Sequence, residues 1–183
     1  KNKHAELMSF FEIPIETRDS LSSADYDELF LDLVNEVQES EKQKLEFFKN
    51  VSELTKAYSV CTPDPACQDV YDDMLFFQTI RTYIGKNSSN SPHIPPEIDM
   101  AVGQLIEKGI KAANSFKKYS IEYDPEKFQL NEEYLKKIGT MKQKNLKVDL
   151  AHKLLDDAIT FKFKRNKVAQ KSFRERLEKA LSN

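Results

Sequence analysis

The 183-residue chain is poor in glycine and cysteine, with four Gly and two Cys, and it contains no tryptophan. Scarce glycine together with a 32% share of charged residues favours helices over the turn-rich strands of β-proteins. No run of eighteen apolar residues exists, so we expect no transmembrane helix. A chain of this length can still bury a core without help from disulfide bonds or metal ions.

The motifs of common catalytic sites are also missing. The sequence contains no glycine-rich phosphate loop, no nucleophile motif and no HExxH zinc motif. Its three histidines and two cysteines do not stand at the spacing of a metal site. The acidic pairs Asp72–Asp73 and Asp156–Asp157 are consecutive, so their carboxylates project in different directions on a helix instead of converging on one metal pair. We therefore predict no catalytic residue and no metal ligand.

Cys61 and Cys67 bracket the proline-containing segment CTPDPAC. A disulfide bond between them is conceivable, but two cysteines do not make a framework. We expect two small side chains beside a loop in a reduced, cytoplasmic protein. The chain starts at Lys1 without methionine, so we expect it to be a piece of a larger protein. Its opening also lacks the apolar core of a signal peptide.

Charge is divided unevenly along the chain, although the net charge is only −2. Residues 1–100 carry nine Lys and Arg against nineteen Asp and Glu, a net charge of −10. Residues 101–183 carry nineteen against eleven, a net charge of +8. This asymmetry indicates either that the basic half faces an anionic partner or that the two halves pack together and neutralise each other.

Apolar residues recur at helical spacing along most of the chain. The stripes predict helices at 24–37, 47–58, 69–84, 98–118 and 132–138, and a terminal pair within 145–181. Gly85 and Gly139 are placed to end two of these helices. The polar segment 38–44 is either an exposed stretch of one long helix or a break between two.

The predicted fold class is all-α, an irregular bundle of about six to seven helices with a long polar loop near residues 86–96. Residues 1–24 show no clear period and include Pro14 and a serine cluster. We expect this segment to be a linker or arm from a preceding domain. The C-terminal helical domain then occupies residues 25–183.

The terminal helix pair has the most distinctive charge pattern. In its first helix Leu146, Leu150 and Leu154 form an apolar line that Leu155 and Ile159 widen, which predicts burial against more than one neighbour. An asparagine precedes the second helix at a position suited to capping it. Six basic side chains follow one another within thirteen residues: Lys162, Lys164, Arg165, Lys167, Lys171 and Arg174.

This basic cluster has two explanations. Lysine and arginine displace the counterions condensed on a nucleic-acid backbone, so the six side chains are suited to contact the phosphates of double-stranded DNA without reading its sequence. A helix end with many charges is also typical of a face that is only solvated, or that pairs with the acidic half of the chain.

Two blocks of the chain contain more specific motifs. The terminal block has an NLxxxLxxxLL helix, a basic RN turn and an SFxExLExA helix, which include Asn145, Leu146, Leu150, Leu154, Leu155, Arg165, Asn166, Ser172, Phe173, Leu177, Glu178 and Ala180. The earlier block, 51–86, has segments similar to LxKAxxL and FFQxxR, which include Lys56, Ala57, Phe76, Phe77, Gln78 and Arg81. In these motifs and in their order the chain resembles the C-terminal helical region of the restriction subunit (motor, or R, subunit) of type I restriction–modification enzymes.

The resemblance implies a domain without chemistry of its own, part of an ATP-dependent type I site-specific deoxyribonuclease whose nuclease and translocase domains lie outside this chain. It implies docking on the methyltransferase and specificity subunits, contact with the preceding helicase domain, and double-stranded DNA passing nearby. ATP and Mg²⁺ would serve the parent subunit, with no cofactor in this domain. The candidate protein-interface residues are Phe76, Phe77, Gln78, Arg81, Asn145 and Asn166.

Two other functions stay open at this point. In the first, the chain is purely a protein-interaction helical domain with no DNA contact, and its charge is incidental. In the second, which the missing motifs disfavour, the chain is an enzyme active alone. The aromatic stripe of the helix at 69–84 has its own simpler explanation, which is packing in the core.

Overall fold

A computed structural model describes residues 2–61, 65–88 and 132–181. These residues form helices and turns and contain no strand, which confirms the all-α fold class. No helix among them is long and apolar enough to cross a membrane. The chain divides into two compact units, the first made of residues 1–86 and 91–120 and the second of residues 87–90 and 121–183.

The first unit contains four of the described α-helices. These are α1 (Asn2–Met8), α2 (Ser23–Val37), α3 (Glu41–Cys61) and α4 (Tyr71–Asn87), the last of which lies in this unit up to Lys86. Short 3₁₀ turns at Arg18–Ser20 and Pro65–Val70 precede α2 and α4. Both α1 and α2 pack against α3, which makes α3 the central helix of the unit.

Serine side chains begin both α2 and α3. The Ser22 hydroxyl accepts the amide N–H of Asp25 at 3.2 Å, and the Ser40 hydroxyl accepts that of Gln43 at 3.2 Å. Each bond satisfies one of the amides that a helix leaves unpaired at its first turn. The polar segment 38–44 is therefore a break over residues 38–40, after which α3 begins.

The prediction that Gly85 ends its helix is wrong, because α4 continues to Asn87. Tyr83 and Ile84 are fully buried, and their packing outweighs the cost of about 1 kcal/mol for a glycine within a helix. Gly139 likewise lies inside a helix that ends at Thr140. The start of the loop predicted near residues 86–96 is wrong as well, because Lys86 and Asn87 are helical. The rest of this predicted loop beyond residue 88 and the predicted helix at 98–118 lie outside the described residues.

The N-terminal segment, in which we expected an arm, contributes to the core of the first unit. Leu7 and Ile15 are fully buried and Phe11 is 7% exposed. The ring centroids of Phe10, Phe11, Phe47 and Phe77 lie 5.2–6.4 Å from those of their neighbours, at angles typical of aromatic packing. Residues 2–24 are thus packed on α3 and α4, while the domain boundary at residue 24 stays a prediction.

A buried polar cluster also ties the N-terminal segment to α4. The guanidinium of Arg18, whose side chain is 7% exposed, donates to the carboxylate of Asp73 and lies 4.9 Å from the ring centroid of Phe76. His4 Nε2 lies 2.6 Å from the other oxygen of the same carboxylate. A buried guanidinium needs this carboxylate, because a charge without a partner is costly inside a protein.

The second unit contains the other described helices. These are α5 (Glu132–Thr140), α6 (Lys144–Lys162) and α7 (Lys167–Leu181). α6 packs against both α5 and α7. The α5–α6 turn is held by Lys147, whose Nζ donates to the carbonyl of Gly139 at 2.7 Å and so satisfies an acceptor at the end of α5.

Candidate nucleic-acid interface at the α6–α7 hairpin

The basic cluster predicted from the sequence lies where α6 turns into α7. We call residues 144–181 the α6–α7 hairpin. Leu146, Leu150 and Leu154 form the buried line of α6, at 0%, 1% and 7% exposure. Leu155 is 43% exposed, so the buried face of α6 is narrower than the wide apolar stripe that the sequence predicted. The single line of three leucines makes the buried contact of this helix.

The turn between the two helices is closed by local hydrogen bonds. The amide of Phe163 donates to the carbonyl of Ile159 at 3.0 Å and ends α6. The side-chain oxygen of Asn166 accepts the amide of Ala169 at 3.0 Å and begins α7. The predicted cap at Asn166 is therefore confirmed.

Two side-chain contacts join the helices across the turn. The rings of Phe163 and Phe173 stack with their centroids 4.7 Å apart and their planes at 23°. Arg174 of α7 donates from Nη2 to Asp156 Oδ2 at 3.0 Å and to Thr160 Oγ1 at 2.9 Å, and from Nε to Asp156 Oδ1. This is the two-point geometry in which a guanidinium binds a carboxylate most strongly.

The structure separates the six predicted DNA-contacting residues into two groups. Arg174 is turned toward α6 and compensated by Asp156. The other five are exposed, and within the described residues none of them forms an ion pair: Lys162, Lys164, Arg165, Lys167 and Lys171. Lys167 makes one long contact of 3.5 Å with the neutral side chain of Gln170. Arg176, which we did not single out from the sequence, adds an exposed cation 5.6 Å from the Phe173 ring.

The five exposed cations thus lie at the surface of the hairpin, whereas Arg174 is paired between the two helices. Asp157, the acid next to Asp156, accepts from Lys153 on its own helix at 2.9 Å. The two carboxylates of this pair thus face different partners, as the sequence predicted. In the other pair, Asp73 is held in the polar cluster of the first unit while Asp72 is exposed.

The candidate interface residues of the first unit lie mostly inside it. Phe76 and Phe77 are 4% and 0% exposed, and Gln78 is 5% exposed and donates to Thr55 of α3 at 2.9 Å. A partner would not reach these side chains in the folded unit. The spacing of these residues in the sequence is compatible both with a face that packs in the core and with a face that binds a partner. Their burial shows that they pack in the core.

The remaining interface candidates are more accessible. Arg81 is half-buried, with its guanidinium 5.4 Å from the Phe48 ring centroid, and burial lowers the pKa of this arginine. Asn145 is half-buried in the first turn of α6, and Asn166 is the exposed cap of α7. Large apolar side chains are also exposed on the hairpin, namely Val148, Leu155, Phe161, Val168 and Phe173.

Sequence reasoning missed the Asp156–Arg174 pair and the Arg18–Asp73 pair. Their members stand 18 and 55 residues apart, which is outside the spacing at which residues of one helix meet. Within the described ranges, no group of three or more His, Cys, Asp or Glu side chains could hold a metal ion.

The fold and the hairpin together define a small helical domain with a basic helical hairpin at its C-terminal end. A family model described as "Type I restriction enzyme HindI endonuclease subunit-like, C-terminal" matches residues 2–183, and the chain belongs to this family. The matched range includes residues 2–45, in which the sequence had shown no motif of this family.

A relative from Methanocaldococcus jannaschii agrees with this assignment. It is described as a putative type I restriction enzyme MjaIXP endonuclease subunit and is 28% identical over 185 residues. The alignment covers 99% of this chain but 18% of that relative's length. No solved structure matches the chain significantly.

Proposed function

We propose that this chain is an assembly and DNA-contacting domain of a type I restriction endonuclease subunit, without catalytic activity of its own. The observation that supports DNA contact most directly is a set of five exposed cations at the turn of the α6–α7 hairpin, which form no ion pair within the part of the chain that the structure describes. The partner is double-stranded DNA, which the hairpin contacts through phosphates and therefore without sequence preference.

Assembly is the second part of the proposal. The domain docks the subunit on the methyltransferase and specificity subunits, beside the helicase domain of the same subunit, and it lies along the path of the translocated DNA. Family membership supports a place in such a multi-subunit enzyme. The nuclease and ATP-driven translocase domains, with their ATP and Mg²⁺, then belong to the part of the subunit outside this chain.

Salt-dependent DNA binding tests the first part. A plot of log Kd for a short duplex against log salt concentration should have a slope of about 0.9 per phosphate contacted. Five contacts therefore predict a slope of about 4.5. The triple variant Lys164→Ala, Arg165→Ala, Lys171→Ala should reduce this slope by about 2.7 and weaken binding to duplexes of unrelated sequence equally. A slope equal to that of the wild type in the triple variant would exclude the hairpin as the contact surface.

A matched control separates local from total charge. Lys42, Lys49 and Lys56 are exposed on α3, so their replacement by alanine removes the same three charges from the first unit. The control variant should keep the wild-type slope. An equal loss in both variants would indicate nonspecific attraction by total charge and contradict the proposal.

The exposed apolar side chains of the hairpin favour one other function, a domain that binds protein only. Val168 is 81% exposed on α7, where an aspartate would not disturb the core. If Val168→Asp prevents assembly with the methyltransferase and specificity subunits while the triple variant binds DNA like the wild type, the protein-only function is correct. Val60, 84% exposed on α3, provides the matched control substitution Val60→Asp.

A further inference from the structure

Arg174 differs in its surroundings from the other five predicted DNA-contacting residues. It is the only one of the six predicted DNA-contacting residues for which the described structure records an ion pair. Its Nε and Nη2 contact both oxygens of Asp156, and Nη2 also contacts Thr160. Three contacts thus join one side chain of α7 to two residues on successive turns of α6.

The pair is electrically neutral as a whole. Binding to a nucleic-acid backbone gains free energy from cations that replace condensed counterions, and a guanidinium already compensated by a carboxylate contributes little to that exchange. Breaking the pair in order to contact a phosphate would leave Asp156 uncompensated beside the polyanion. Arg174 is therefore poorly suited to be a phosphate contact while its pair with Asp156 is intact.

The position of Arg174 gives it a different task. It stands one helical turn after Gln170, which is 5% exposed, on the side of α7 that faces α6. Lys167 and Lys171 lie on the neighbouring side of α7 and are exposed. Rotation of α7 about its axis would change where these two lysines lie relative to α6, and the contacts of Arg174 with Asp156 and Thr160 oppose such a rotation.

We propose that Arg174 is a positioning residue: it fixes α7 against α6 through Asp156 and Thr160, so that five cations, and not six, meet the DNA backbone as one surface. This inference rests on the proposed function for its DNA component only. We call the contacts of Arg174 with Asp156 and Thr160 the clamp between the helices. The clamp is a property of the hairpin itself, and its effect can be measured without DNA.

Two single substitutions on α7 distinguish positioning from contact. Arg174→Ala should speed amide hydrogen exchange along α7 by about threefold to tenfold, because the helix then opens more often. Lys171→Ala removes the same charge one turn earlier, where the described structure records no bond to lose, and should leave exchange in α7 unchanged. Exchange in α3 should be the same in all variants, which shows that the rest of the chain stays folded.

In DNA binding the two substitutions should have the opposite order of effect on the salt slope, which is the change of log Kd with log salt concentration. Lys171→Ala should reduce the salt slope by about 0.9, whereas Arg174→Ala should weaken binding with a slope change well below that value. The double variant Asp156→Arg, Arg174→Asp re-forms the pair with its charges reversed. It should restore most of the protection of α7 against amide exchange and most of the affinity for DNA. Loss of affinity without loss of slope is an effect that removal of a phosphate contact would not produce.

Each result decides the matter. If Arg174→Ala leaves amide hydrogen exchange in α7 unchanged, or if the charge-reversed double variant restores neither protection nor affinity, the clamp does not exist. If Arg174→Ala reduces the slope by about 0.9, Arg174 contacts phosphate and the inference is wrong. If the wild-type chain binds no duplex at all, the proposed function fails, and the exchange measurement alone still accepts or rejects the clamp.

Discussion

Arg18 and Asp73 form an ion pair across 55 residues of sequence, and it joins the segment before α2 to the first turn of α4. The Arg18 side chain is 7% exposed and that of Asp73 is 16% exposed. Removal of one member of such a pair leaves the other buried without a counter-charge, which is more costly than the pair itself is stabilising. This relationship makes the N-terminal segment part of the folded unit.

Asp73→Ala should therefore destabilise the chain by about 3 kcal/mol, measured as the free energy of unfolding in urea. His4 would lose its partner in the same substitution. Asp72→Ala is the matched control, because Asp72 is the exposed neighbour on the same helix and its loss should cost less than about 0.5 kcal/mol. Equal effects of the two substitutions would show that the buried pair does not stabilise the unit.

Phe77→Ala tests whether the FFQ motif packs in the core or docks a partner. Phe77 is fully buried against Phe11 and Phe47, so its truncation should cost about 3–5 kcal/mol and lower the melting temperature. Phe77→Leu should recover most of the loss because it refills much of the volume. A variant that keeps the wild-type melting temperature but no longer assembles would instead assign Phe77 to an interface.

Asn166→Ala should fray the start of α7 at a cost of about 1 kcal/mol, because Ala169 loses the acceptor for its amide. Asn166→Ser should retain the cap and serves as the control. Circular dichroism and amide exchange at residues 167–170 would measure the difference. If alanine and serine behave alike, the capping bond is not important for α7.

Glu36 should make stability depend on pH in the mildly acidic range. Burial raises the pKa of this carboxyl above its ordinary 4.5, although it accepts the amide N–H of Glu12 at 2.7 Å. A group whose pKa is higher in the folded state stabilises the fold fully below its unfolded pKa and loses that contribution as the pH rises through the folded value. Burial therefore makes the ionised carboxylate unfavourable at neutral pH.

The comparison of the wild type with Glu36→Gln isolates this effect. Relative to the variant, the wild type should lose stability between pH 4.5 and neutrality, and the difference should be constant at higher pH. Urea unfolding at a series of pH values measures it. A difference that is constant over the whole range would contradict a raised pKa for Glu36.

Much of the architecture could be predicted from the sequence, for local reasons. The stripe of α2 predicted a helix at 24–37 and the structure has Ser23–Val37, because period and capping depend on neighbours a few residues apart. The same holds for the Asn166 cap. The end predicted at Gly85 failed because buried neighbours from distant parts of the chain decide whether a glycine stays helical.

The sequence by itself determined the all-α class, the order of the described helices from α2 onward and the presence of a basic turn between the last two, but it missed α1. Only the tertiary structure decided which side chains are accessible, because burial and ion pairing depend on residues distant in sequence. It placed Phe76 and Phe77 in the core and residues 2–24 on α3 and α4. It also paired Arg174 with Asp156, which leaves five exposed cations at the turn where the sequence counted six.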